Sequence, residues 1–370
     1  MRVQAVSGGT TPATAAGVQT PPEYANLPPA DKPGAAMTDV SQSQPSKMRT
    51  LTPLPRAAGE KIDFGACRSI KVTCVSETGW VDSREMMQDI DAGGGVAASQ
   101  WRMPWHEENA RGSCSLLEVD GLDGSRRRLL IDAGWNRDYM RERLAATGVA
   151  ELIAARGVEA LFLTHEHIDH LFGLQAVLEL KPDITIYIPS TFHAEAERFI
   201  AGAEFPEAHA ANAIAHSGEI VRLKPGGVHV LMPGLAAVGF DLPIMLGIEG
   251  EQSLYANLER EGLVALTGCG HHSLERIVAF ASEHLARGDA LHGLYGGLHI
   301  APFGALTSEQ AARVRDMGRY GFKRIACNHC TGLAAVELMV ELGYPVVRGA
   351  GRDGSMSDLY VGNGDSVAFG

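Results

Sequence analysis

The chain has 370 residues, 45% of them hydrophobic, and a formal net charge of −12. That much apolar material builds a large core without a disulfide scaffold, and the acidic balance speaks against a broad nucleic-acid surface, which would rest on Lys and Arg neutralising phosphates. With no run of about 18 apolar residues, no apolar leader segment, and six cysteines (Cys67, Cys74, Cys114, Cys269, Cys327, Cys330) that lack the spacing of a secreted disulfide framework, the expectation is a reduced, cytoplasmic protein without a membrane span.

Residues 1–58 are rich in Pro, Ala, Thr, Ser and Gly and carry few large aliphatics. Such a segment offers too little burial to offset its ordering entropy. It is expected to be disordered or loosely packed on the surface, or to act as an arm in a homo-oligomer, with residues 59–370 forming one folded domain. Alternation over 70–75 predicts the first strand. Residues 80–112 are polar and Gly-rich, contain Trp101, Trp105 and His106, and read as a long loop of the lid type. Strands over 114–119 and 128–132 read as a hairpin around Gly121-Leu122-Asp123-Gly124, with Arg126-Arg127-Arg128 as a solvated turn. The second strand ends in Asp132-Ala133-Gly134.

A helical pattern follows over 138–156, then a strand over 160–164, a helix over 169–180, a strand over 184–188 and a helix over 192–201. Three strand-to-helix units come later, with strands over 264–267, 291–295 and 323–326 and helices over 273–286, 308–320 and 332–342. Each of these strands runs into a potential ligand. The first reaches Gly268-Cys269-Gly270-His271, the second Gly296-Gly297-Leu298-His299, and the third Cys327-Asn328-His329-Cys330.

The strongest chemical signal is His165-x-His167-x-Asp169-His170, placed directly after an apolar strand. Imidazoles two apart on a tight loop can face one metal ion, and the carboxylate and third imidazole can face a second. Imidazole and carboxylate suit Zn, Fe and Mn, and two such ions can jointly activate one water molecule. If one ion binds, Asp169 is a candidate general base. The spacing of His106, His193, His209, His216, His229, His284 and His292 suggests no ligand set, so packed or solvated roles are expected. His106 is the exception to watch. Cys327-x-x-Cys330 could be a redox pair or half a zinc site, but no second such pair exists.

With these residues the chain resembles the metallo-β-lactamase superfamily, and Asp132-Ala133-Gly134 resembles the element that supports its metal site. Thr267-Gly268-Cys269-Gly270-His271, Gly296-Gly297-Leu298-His299 and His329-Cys330-Thr331-Gly332 resemble one branch, the 7,8-dihydropterin-6-methyl-4-(β-D-ribofuranosyl)aminobenzene 5'-phosphate synthase-like proteins. The chain departs from that branch in carrying Gly270 where the branch has serine, and in carrying His272. The resemblance implies an α/β fold, a four-layer αβ/βα sandwich with the site at one edge. It also implies one or two divalent ions, Zn first and Fe or Mn next, held by His165, His167 and His271 and by Asp169, His170 and His329. Cys269 stands where the usual bridging carboxylate lies, either as a ligand or as a buried thiol. His299 joins Asp169 as a candidate catalytic residue or substrate contact, and His272 is read as a substrate contact or solvated. The expected function is hydrolase-like activation of water or of a phosphoryl or ester group on a small, phosphate-bearing or pterin-like molecule, with a synthase-type transferase as the alternative. A ribonuclease of this fold, a diiron protein and a non-catalytic binding protein are the rivals. The charge speaks against the first, His167 against the second, and the intact ligand cluster against the third.

Overall fold

The computed structural model describes residues 46–57 and 59–370. Most of the 1–58 segment therefore lies outside the described residues. Its described end departs from the expectation of disorder, because Lys47–Leu51 (β1) is a strand paired in parallel along its whole length. The strands that follow are Cys67–Ser76 (β2), Cys114–Gly121 (β3), Arg126–Ile131 (β4), Ala160–Phe162 (β5), Thr185–Pro189 (β6), a short ribbon of Glu204–Phe205 (β7) with Ala210–Ala211 (β8), and Glu219–Leu223 (β9). Then come Val228–Met232 (β10), Leu235–Ile244 (β11), Ile248–Leu258 (β12), Gly262–Leu266 (β13), Leu291–Gly296 (β14), Arg324–Cys327 (β15) and Ser366–Phe369 (β16). One sheet runs β1-β9-β6-β5-β4-β3-β2, with β16 also paired to β2. The other runs β10-β11-β12-β13-β14-β15. They meet through a single residue pair, Cys67 with Leu258.

Successive side chains of a strand point to opposite faces, and here both faces are apolar. Leu117, Leu129, Ile131 and Phe162 of the first sheet form one core with Leu254, Ala256, Val264 and Leu266 of the second. Their neighbours Leu116, Leu130, Leu161, Tyr255, Leu263 and Ala265 belong to the other core, with helix residues such as Leu144, Val177 and Ile277. Two sheets face to face with helices outside make the expected four-layer αβ/βα sandwich. The helices are Ser83–Ala92 (α1), Arg137–Ala146 (α2), Val149–Ala154 (α3), Ile168–Leu171 (α4), Leu174–Leu178 (α5), Ala194–Ile200 (α6), Leu274–His284 (α7), Ser308–Asp316 (α8) and Leu333–Glu341 (α9). No helix among the described residues is long and apolar enough to cross a membrane.

Some elements differ from expectation. The 80–112 segment is no open loop: it contains α1 and buries Trp101 and Trp105. The 138–156 helix breaks into α2 and α3 at Gly148, which takes a left-handed φ of 70°. The 169–180 helix breaks at Gly173, whose amide donates to the Gly134 carbonyl at 2.9 Å. A β-carbon at Gly173 would stand 2.4 Å from the Ala133 oxygen, so glycine is what lets the Asp132-Ala133-Gly134 turn lie against this segment. Arg126, Arg127 and Arg128 sit in β4 rather than in a turn, paired with Asp120, Glu159 and Glu118. The run from β9 to β12 was not anticipated.

Candidate metal centre

The chemistry-bearing residues lie where several strands end. Asp132 follows β4, the motif His165–His170 follows β5, Cys269 and His271 follow β13, His299 follows β14, and His329 follows β15. Within each sheet the neighbouring strands β4–β5 and β13–β14–β15 are parallel, so their carboxyl ends open on one edge, the usual place for a site in such sheets.

The motif loop is fixed from several sides. Asp132 is buried and accepts from the Thr164 amide at 2.7 Å and the Thr164 hydroxyl at 2.8 Å, and its Oδ2 lies 2.7 Å from His170 Nδ1. It holds this position with a left-handed φ of 60°. Gln100, from the 80–112 segment, donates through its side-chain amide to the Glu166 carbonyl at 2.5 Å and accepts from the Ile168 amide at 3.0 Å. Glu166 points away from the centre and takes the His193 amide and ring nitrogen. His167 Nε2 reaches the Met245 carbonyl at 3.1 Å, and His329 Nδ1 reaches the Glu77 carbonyl at 2.9 Å.

The opposing loop hangs on one carboxylate. Glu251, fully buried in β12, accepts from the amides of Cys269 at 3.0 Å, Gly270 at 2.7 Å and His271 at 2.6 Å, and lies 3.2 Å from His272 Nδ1. Nothing in the sequence reading singled out Glu251. A charged residue inside the polar run Glu251-Gln252-Ser253, flanked by apolar strand residues, was its one signal. His272 is neither solvated nor a cleft residue: it stacks on Phe240 at 3.9 Å and bonds Ser253 Oγ at 3.1 Å.

The donor atoms converge in overlapping groups. His165, His167 and His271 place ligand atoms within 4.8 Å of one another, and so do Asp169, His170 and His329, and His165, His170 and Cys269. His165 Nε2 is 3.0 Å from His167 Nδ1. His170 Nε2 is 3.1 Å from Cys269 Sγ and 3.2 Å from His329 Nε2, which in turn lies 3.2 Å from Asp169 Oδ2. His299 is the neighbour of His271, with ring centroids 4.1 Å apart. The structure thus assembles all seven residues expected as ligands, and His299 beside them.

Burial sets the charge state of this cluster. It holds His165 and His271 well below the ordinary imidazole range, and neighbouring imidazoles push the same way. Burial brings His167 and His299 down to about 4. For His170 burial is outweighed by the Asp169 and Asp132 carboxylates, which raise it. His329 rises to about 10, as Cys330 and Asp169 overcome its burial. Asp169 is itself held below the carboxylate range, because His170 and His329 outweigh its burial.

These residues fit a divalent cation. Both ring nitrogens of His271 are buried without a hydrogen-bond partner among the described residues, a state that costs about 1–3 kcal/mol per orphaned group and that coordination would relieve at one of the two. Imidazole, carboxylate and thiol donors match zinc or iron chemistry. Burial holds His165, His167 and His271 in the neutral form that binds metal, and a cation would displace the proton from His170 and His329. Gly79 leaves the space beside the ligands open: a β-carbon there would stand 2.8 Å from His329 Cε1 and 2.9 Å from Asp169 Oδ2. His299 and His329 carry left-handed φ values of 43° and 52°, strain of the kind that gathers at functional sites. The cleft above the donors is walled by Trp80, Met86, Met245, Leu246 and Phe303. Trp80 and Phe303 stack at 5.4 Å. His106 stays outside it, paired with Asp89 at 2.5 Å.

Asp132 fixes the orientation of the His170 ring through Nδ1. Asp132→Ala is expected to weaken metal binding about 10- to 100-fold, read by titration with a chromophoric chelator. Unchanged affinity would show that His170 keeps its orientation unaided.

A family model described as "Metallo-beta-lactamase superfamily" matches residues 110–329. No curated protein matches the chain significantly. Among solved structures, the chain is similar to Tm1679, a metal-dependent hydrolase of the beta-lactamase superfamily, at 16% identity and a TM-score of 0.46, over 74% of this chain and 92% of that one. It is similar to Zn(2+)-bound PqqB from Methylobacterium extorquens at 14% identity and a TM-score of 0.45, over 81% and 99%. It is similar to the metallo-beta-lactamase fold protein YhfI from Bacillus subtilis at 15% identity and a TM-score of 0.41, over 73% and 93%.

Proposed function

The chain belongs to the metallo-beta-lactamase superfamily, and from that premise we propose that it is a metal-dependent hydrolase acting on a small molecule at the cluster around His165. The observation that carries this is His271, a buried imidazole with both nitrogens unpartnered in the middle of a converging donor set. His165, His167 and His271 would hold one ion, and Asp169, His170 and His329 another, with Cys269 between them. Zinc is the first choice, with iron or manganese next. A bound ion would supply Lewis-acid polarisation and water activation.

The chain's own residues do the rest. Asp132 and Glu251 orient the two ligand loops. Asp169 and His299 stand at the cleft, where they can hold or pass a proton. Trp80 and Phe303 narrow the entrance and exclude bulk water, which strengthens the electrostatic interactions inside. A phosphoryl or ester group on a compact substrate suits this opening. The three downstream motifs support a transferase as the second reading, in which the same centre would stabilise a departing diphosphate.

The test is hydrolysis by metal-loaded protein of a panel of aryl phosphodiesters, phosphomonoesters, nucleotides, pterin phosphates and lactones, with diphosphate release from a pterin diphosphate in the presence of an arylamine acceptor followed in parallel. Turnover of at least one ester class, abolished in His165→Ala, is expected. A fully metallated protein that releases diphosphate but hydrolyses nothing would move the transferase to the front. One that does neither would overturn the enzyme reading.

A further inference from the structure

We propose that Cys330 is a metal-ligating residue, and that with Cys269 it gives the metal position near His329 a pair of thiolates. The proposal rests on the metal-centre reading above and goes beyond it, since that ligand set does not include Cys330 and the sequence tied Cys330 to a zinc only through Cys327. Cys269 Sγ, Cys330 Sγ and a ring nitrogen of His329 lie within 4.8 Å of one another. Both cysteines are buried, and both line the same cleft as Asp169 and His329.

The backbone presents Cys330 to the cleft. The turn His329–Thr331 after β15 is tied down by the Leu298 amide, which donates to Thr331 Oγ1 at 3.1 Å. The Cys330 thiol lies 3.4 Å from the Cys269 carbonyl, to which it donates. Gly297 leaves the space this thiol needs, since a β-carbon there would stand 2.6 Å from its sulfur. Cys327 behaves differently. Its thiol contacts Met339 Sδ at 3.9 Å under α9, so the Cys327-x-x-Cys330 spacing does not form a dithiol unit. The partner of Cys330 is Cys269, sixty-one residues earlier.

Two thiolates and an imidazole form a soft donor set. It favours Zn2+ or Co2+ over Mg2+ and Mn2+, which prefer oxygen. On binding, each sulfur exchanges its S–H bond for a bond to the cation, and the proton leaves to solvent. No oxidant or reductant is involved.

The experiment uses the full chain loaded with Co2+ and compares wild type, Cys330→Ser, Cys269→Ser and the double variant. Sulfur-to-cobalt charge transfer absorbs in the near ultraviolet in proportion to the number of bound thiolates, whereas ligand-field bands in the visible report bound cobalt whatever its donors. The expected result is a charge-transfer band that falls about twofold in each single variant and disappears in the double, with the visible bands retained. Cys330→Ala, which brings no hydroxyl, must give the same fall, and thermal melts confirm that each variant is folded. A full-strength band in Cys330→Ser overturns the proposal. Visible bands without a charge-transfer band in wild type overturn the thiolate pair and leave the metal centre standing. The absence of both overturns the metal centre and this inference with it.

Discussion

Glu251→Ala is expected to lose roughly 3–5 kcal/mol of unfolding free energy and most of its bound metal. The side chain is fully buried and is the acceptor for three consecutive amides, those of Cys269, Gly270 and His271, while also facing His272. Its carboxyl stays below the ordinary range because His272 and these amides outweigh its burial. Removing it orphans three donors that water does not reach, each worth about 1–3 kcal/mol. It also frees the loop that carries Cys269 and His271. Glu251→Gln keeps one acceptor oxygen but turns an amide hydrogen toward these donors, so it should fall between wild type and Glu251→Ala. Denaturant unfolding monitored with metal content checks both effects. Wild-type stability in Glu251→Ala would mean that the loop holds its shape without the carboxylate.

The metal-free protein is expected to lose stability steeply between pH 6.5 and about 4. His167 and His299 have folded-state values depressed from 6.5 to about 4, and His165 and His271 are depressed too. The unfolded chain therefore takes up protons in this window that the folded chain refuses, and folding free energy falls as the pH falls. For His167 alone the drop is worth roughly 3 kcal/mol at about 1.36 kcal/mol per pH unit. His329, raised to about 10, acts on the other side: its contribution is complete below pH 6.5 and is lost as the pH rises toward 10. Asp169, depressed, keeps its contribution until the pH drops below the ordinary carboxylate range. Urea unfolding of chelator-treated protein across pH 4–8 tests this. A flat profile below pH 6.5 would contradict the buried, neutral state of these imidazoles. Metal should raise the whole curve by binding only the folded chain, and raise it most at the higher pH, where its ligands are deprotonated.

Much of the architecture was legible because it is written in local periodicity. The strands of the ligand-bearing units are apolar on both faces, and each runs into a histidine or cysteine within three residues of its end. The motif histidines could be found because four ligands fall within six residues after β5. What escaped the sequence depends on contacts between distant segments. Glu251 looks like any strand carboxylate until β12 is laid beside the loop after β13. Trp80 becomes part of the cleft wall only when the 80–112 segment packs across the motif through Gln100. His272, expected to contact substrate or solvent, does neither, because the left-handed Ser273 at φ 73° starts α7 and His272 lies against Phe240. Cys330 was visible in the sequence, but its nearest sequence partner, Cys327, points into a different part of the core.

The most direct measurement is metal per chain by elemental analysis of wild-type protein and of the His165→Ala/Asp169→Ala double variant, each reconstituted with zinc, iron or manganese. The account predicts one or two equivalents in the wild type and essentially none in the double variant at comparable folding. A wild-type protein that holds no metal after reconstitution, or a double variant that holds as much as wild type, would contradict it.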